Sequence, residues 1–125
     1  MLKAAAIALV IHFSPGGLVL QFAHRVEHAR HVEIRGVCAS SCTMFLGARD
    51  VCVTPDAEFM FHAAYADPST EFRGPRNARG TALIMSYYPA PLQRYLDAHG
   101  GLTAHERWLT GADLIAMGAA RACKD

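Results

Sequence analysis

At 125 residues the chain is long enough to bury one substantial hydrophobic core and too short for two, so a single domain over residues 1–125 is expected. Hydrophobic residues make up 52% of it, charged residues 18%, and the formal net charge is +1. That balance is ordinary for a globular protein and lacks the basic excess that marks nucleic-acid binding, so nucleic acid is not an expected partner.

The opening run MLKAAAIALVIHF sets one lysine before an apolar stretch and imitates the start of a signal peptide, yet no small-x-small cleavage site precedes Ser14-Pro15. Its apolar part, Ala4 to Ile11, is far shorter than the ~20 residues of a membrane span, and none is expected. Ile7 to Phe13 reads instead as a buried strand, with a leader lost through truncation or a misassigned start. The strand runs into Ser14-Pro15-Gly16-Gly17, a turn whose glycines reach conformations closed to other residues. Leu18, Leu20, Phe22, Ala23, Val26 and Ala29 then recur at near-helical spacing and predict an amphipathic helix from Leu18 to Arg30. His24, His28 and His31 sit on one helical stretch at spacings of four and three and read as a solvated face, since no carboxylate or cysteine cluster adjoins them to complete a metal shell.

Val32, Ile34 and Val37 alternate with polar residues in a second strand, and the strand, turn, helix, strand order favours a parallel pair with a right-handed crossover. Ser40 or Ser41 is placed to cap a short helix, Cys42 to Ala48. Strands follow at Val51 to Val53 and, past Pro55-Asp56, at Glu58 to His62. From Ala66 to Gly80 a polar loop carries Arg73, Arg76 and Arg79, solvated or turned toward an anionic substrate or partner. Thr81 to His99 reads as helix broken or kinked at Pro89 and Pro91 and closed by Gly100-Gly101, and Thr110 caps a last helix, Asp113 to Ala120. Leu83, Ile84, Tyr87, Tyr88, Leu92 and Trp108 are expected to pack the second half of the core.

In an α/β sheet, reactive groups gather where strand ends meet helix starts, because unpaired backbone N–H groups point outward there. Two such junctions occur, Ser14 to Gly17 and Cys38 to Cys42. If their strands are neighbours, the amides of Gly17 and of the residue after a serine nucleophile converge into an oxyanion hole. Such a serine needs a basic partner, and His62, closing the apolar FMFH, is the best placed of the seven histidines.

Taken in order, Ser14-Pro15-Gly16-Gly17, Gly36-Val37-Cys38-Ala39-Ser40 and Thr54-Pro55-Asp56-Ala57 before Met60-Phe61-His62 resemble the proteolytic subunit of Clp protease. The similarity is greater to the extracytoplasmic Clp-protease-like proteins of bacteria, whose serine lies between two cysteines. It spans about Ile7 to His62 and only loosely the remainder. The resemblance implies a crotonase-type α/β fold, N-terminally shortened, with a mostly parallel sheet and flanking helices. It also implies a periplasmic or secreted serine hydrolase, peptidase-like, acting on a peptide or other acyl substrate without a cofactor or metal. Carried over residue by residue, the nucleophile falls on Ser40, with Ser41 as fallback, and the base on His62. The oxyanion donors fall on the amides of Gly17 and Ser41. The third catalytic position falls on Glu106, where the family has aspartate, with Asp113 and Asp97 as rivals. Relatives of the fold are commonly oligomeric, which makes a homo-oligomer an expectation by analogy. The rival reading is a binding or assembly module that keeps the fold without a complete triad.

Cys38, Cys42, Cys52 and Cys123 are an even set in a small domain, as an oxidising compartment favours. A Cys38–Cys42 bond would brace the serine turn; Cys38 bonded to Cys52, or Cys123 tying down the C-terminal helix, is equally open. Buried thiols, a thiol nucleophile, and a zinc site from Cys38, Cys42, Cys52 and His62 are the remaining readings.

Overall fold

The computed structural model describes residues 8–64 and 77–124. Six strands form a curled, mostly parallel sheet with helices on its outside: β1 (Leu9–Ser14), β2 (Val32–Ala39), β3 (Val51–Val53), β4 (Glu58–Phe61), β5 (Arg107–Thr110) and β6 (Arg121–Ala122). The helices are α1 (Val19–His28), α2 (Ala78–Tyr87), α3 (Ala90–Ala98) and α4 (Gly111–Ala116), with a 3₁₀ helix at Ser40–Gly47. The expected α/β class with a mostly parallel sheet is therefore present.

Strand β2 is the axis of the sheet. Its residues Val32, Ile34, Val37 and Cys38 all pair in parallel with β1, so β3 and β4 must share the opposite edge. There β3 takes Val32 to Ile34 and β4 takes Val37 to Ala39, end to end, and this division curls the sheet. Strand β5 then runs antiparallel along β4, and β6 pairs with β3. The β1–β2 ladder slips between Ile11 and Phe13. At that slip the backbones approach so closely that a Cβ on Gly36 would lie 1.9 Å from the His12 carbonyl oxygen. Glycine at 36 is a packing requirement of the β1–β2 pair.

Apolar spacing decides what packs inside. Phe22, Ala23 and Val26 on one face of α1 are buried, and Phe22 stands edge-on to Phe45 of the 3₁₀ helix with ring centroids 5.9 Å apart. Arg25 lies over both rings, 4.9 and 5.3 Å from their centroids, so its stem covers the core while its charge stays at the surface. Ile34, Phe59, Phe61, Leu92, Leu96 and Leu114 are fully buried around the sheet. The break expected at Pro89 is real: α2 ends before it, Pro89 is the N-cap of α3, and Gly101 N–H closes α3 on the Leu96 carbonyl at 2.7 Å.

Several expectations need correction. Residues 42–48 form no α-helix: the turn is 3₁₀, beginning at Ser40, because the Cys38–Cys42 disulfide draws the two Cα atoms to 5.3 Å. The second disulfide joins Cys52 to Cys123, tying β3 to the chain end just past β6. All four cysteines are thereby consumed, which overturns the Cys38–Cys52 pairing and the thiol and zinc readings. Helix α1 ends at His28, so His31 is not on it. Trp108 is 51% exposed on the outer strand β5 and does not pack the core. Arg73 and Arg76 lie outside the described residues, while Arg79 is exposed on α2.

Candidate active site

Strands β1, β2 and β4 end on one edge, and the two junctions singled out in the sequence meet there. Strand β1 delivers the Ser14–Gly17 turn and β2 delivers Ser40, and Ser14 pairs with Cys38 in the ladder. Gly16 has φ +89°. A Cβ on it would sit 2.7 Å from the Ala39 carbonyl oxygen, 2.8 Å from the Ser40 Cβ and 3.1 Å from the Ser41 nitrogen. The glycine turn is thus laid directly on the serine pair.

Ser40 has φ +58°, and among the described residues it alone of the non-glycine residues is positive. That conformation costs a serine roughly 1–3 kcal/mol and gathers at functional turns, where the strain aims a side chain. Here it turns the chain sharply from β2 into the 3₁₀ helix and leaves Ser40 partly exposed. Ser41 is buried at 2% exposure, and its hydroxyl donates to the Gly17 carbonyl at 2.7 Å. The two serines therefore divide the work. Ser41 is spent on locking the glycine turn, which disfavours it as a nucleophile.

His62 directly follows β4 and is 7% exposed. The β2–β4 ladder ends at Ala39–Met60, so β2 enters the Ser40 turn and β4 runs on to His62, two residues past Met60, at the same end of the sheet. Nδ1 of His62 lies 2.5 Å from the Ala63 carbonyl oxygen. A carbonyl only accepts, so Nδ1 carries a hydrogen and donates it in this contact. The Ala63 amide in turn donates to the Thr103 carbonyl at 2.7 Å, anchoring this segment to the chain before β5.

The three acidic candidates separate by position. β4 and β5 pair through Phe61–Arg107, the last pair of that ladder, and His62 and Glu106 each lie one residue beyond it. Glu106 is exposed and lines a cleft of about 310 Å³ with Phe61, Leu96, Thr103 and Trp108. Asp113 is occupied as a cap: its carboxylate accepts from Thr110 N–H at 2.8 Å, and its own amide donates to the Thr110 hydroxyl at 3.1 Å. Asp97 is exposed on α3. Strand β5 is what gives Glu106 its place, and the sequence reading did not find that strand.

A second polar cluster lies at the other end of the sheet. His31 Nδ1 contacts Asp50 at 2.7 Å and Nε2 contacts Glu33 at 3.0 Å, while Arg35 pairs with Glu33 and Arg121 with Asp50. Donor atoms of His31, Glu33 and Cys52 lie within 4.8 Å of one another, but the Cys52 sulfur is bonded to Cys123 and both imidazole nitrogens face carboxylates. The group is an ion-pair network pinning the last strand.

Hydrogen bonds to Glu33 and then Asp50 raise the His31 pKa. The bond from His31, followed by that from Arg35, lowers Glu33, and the bonds from Arg121 and His31 lower Asp50. A raised imidazole contributes fully below its unfolded value and loses the contribution as pH rises through the folded one; the lowered carboxylates contribute above their unfolded values and lose it as pH falls through the folded ones. The cluster is therefore tightest between about pH 4.5 and 6.5. The His31→Gln variant should have a lower thermal midpoint than the wild type at about pH 5.5, with the gap narrowing as the pH rises above about 6.5. Calorimetry across that range checks it.

No helix among the described residues is long and apolar enough to cross a membrane. The two disulfides are compatible with an extracytoplasmic setting. In comparisons with known proteins, no family model and no curated sequence matches the chain.

Proposed function

We propose that the chain is a Clp-protease-like serine hydrolase, peptidase-like in its chemistry, working outside the cytoplasm. The observation that carries the reading is Ser40, held at φ +58° just past the end of β2 against the Gly16–Gly17 turn, with His62 directly following the neighbouring strand. In this reading the Ser40 hydroxyl attacks an acyl carbonyl while His62 Nε2 takes its proton. The Gly17 and Ser41 amides hold the oxyanion, and His62 returns the proton to the leaving group, releasing the first product. Water, activated by the same imidazole, then frees the acyl group. The Ala63 carbonyl holds the imidazole through Nδ1, and Glu106, one residue before β5, is the acidic member of this reading.

The rival, a binding or assembly module on the same fold, is favoured by one observation. Among the described residues Glu106 enters no ion pair. Incubation with a fluorophosphonate probe separates the two. The hydrolase reading predicts one covalent adduct, retained in Ser41→Ala and absent in Ser40→Ala. No adduct, or an adduct that survives Ser40→Ala, rejects it.

A further inference from the structure

Behind the serine turn runs a buried chain of hydroxyls that neither nucleophile nor base accounts for. Thr43, fully buried in the 3₁₀ helix, donates its hydroxyl hydrogen to the Ser40 carbonyl at 2.6 Å. The same oxygen lies 2.5 Å from the Tyr88 hydroxyl. Thr43 has a single hydroxyl hydrogen and spends it on Ser40, so Tyr88 is the donor in the second bond. Burial drives the phenol pKa far up, more than the Thr43 bond lowers it, and Tyr88 keeps the proton it donates.

Tyr88 is itself fixed. It caps the C-terminal end of α2, and the Gln93 side chain donates to its carbonyl at 2.9 Å and to the Met85 carbonyl at 3.1 Å. Its ring stands edge-on to Phe61, with centroids 5.5 Å apart and planes at 84°. Phe61 is the residue before His62. One buried side chain thereby supports the turn that presents Ser40 and the strand that presents His62.

We infer that Thr43 and Tyr88 are positioning residues that hold Ser40 in its left-handed turn, an inference resting on Ser40 as the nucleophile. The turn is gripped twice. The Cys38–Cys42 bond closes it covalently, and the Tyr88–Thr43 chain holds the Ser40 carbonyl from inside. A positive φ at serine persists only when its surroundings over-determine it. Loosening either grip lets the hydroxyl drift from its attack geometry, and a drift of about 1 Å costs on the order of 100-fold in rate.

The test compares the rate of fluorophosphonate labelling of the folded protein with its thermal midpoint. Thr43→Val, isosteric but without the hydroxyl, should label about 10- to 100-fold more slowly than wild type. Tyr88→Phe should label about 10-fold more slowly, and Thr43→Ser, which restores the hydroxyl, should stay within about threefold of wild type. A merely structural role would lower the midpoints and leave the labelling rate of the folded protein unchanged. Wild-type rates in both Thr43→Val and Tyr88→Phe overturn the inference while the nucleophile reading stands. If wild-type protein does not label, the nucleophile reading fails separately, and nuclear magnetic resonance of the Ser40 backbone decides the positioning claim. A Ser40 amide shift and HN–Hα coupling that change in Thr43→Val and return in Thr43→Ser support it; a Ser40 signal unchanged in both overturns it.

Discussion

Replacing Cys52 and Cys123 together by alanine should lower the free energy of unfolding by about 4 kcal/mol. The bond spans 71 residues of sequence, and closing so long a loop removes much of the freedom of the unfolded chain. Against the 5–15 kcal/mol typical of a whole domain, a loss of about 4 is a large share. Other contacts at the chain end compensate poorly: β6 has two residues, the Arg121–Asp50 pair is about half exposed, and Arg35 reaches the Lys124 carbonyl at 3.1 Å. Exposed pairs of that kind contribute about 0–1 kcal/mol each. Removing the Cys38–Cys42 bond, whose separation is only 4 residues, should cost about 2 kcal/mol, since the loop it closes is short. Urea unfolding of the two double variants measures both. A loss below about 1 kcal/mol for the long-range pair would contradict the argument.

Gly36→Ala should cost about 3 kcal/mol or more, an unusual penalty for one methyl group at a half-buried strand position. The added Cβ would meet the His12 carbonyl oxygen at 1.9 Å, its carbon at 2.7 Å and its Cα at 3.0 Å. All three are backbone atoms of the neighbouring strand and have no rotamer to escape into. The chain relieves the overlap only by moving β1 away from β2, at the expense of the ladder from Leu9 to Ser14. Because β1 leads into the Gly16–Gly17 turn, the same variant should also lose its reactivity toward the fluorophosphonate probe. Urea midpoints at unchanged slope, with labelling measured in parallel, test both parts. A stable, fully reactive Gly36→Ala protein would show that the strands do not approach as described.

The parts of this fold that could be read from the sequence are those governed by local pattern. Alternation over Val32 to Val37, helical recurrence from Leu18 to Ala29 and the Pro89 break announce β2, α1 and the α2–α3 boundary because each depends on near neighbours in the chain. The same holds for Thr110 as the cap of α4, since a cap and the helix start it serves are adjacent in the chain. What escaped depends on distant partners. RWLT has no strong strand signal, and β5 exists because Phe59 and Phe61 offer it a ladder about fifty residues away. Strand β6 is two residues held by a neighbour and a disulfide.

The candidate site divides the same way. Ser40, His62, Gly17 and Ser41 could be singled out because they sit at strand ends beside turn residues. The pairing of the cysteines could not, since it follows from β3 lying beside β6. The different fates of Ser40 and Ser41 also escaped, because they rest on one backbone angle and one hydrogen bond to Gly17. Nothing in the spacing of residues 43 and 88 announces that they touch.

The central claim, that His62 activates Ser40, is tested most directly by the rate at which Ser40 takes the fluorophosphonate label in wild type and in His62→Ala. A general base contributes about 10²- to 10⁴-fold, so the variant should label slower by a factor in that range, with its thermal midpoint recorded beside it to confirm folded protein. Equal rates in the two folded proteins would contradict the account.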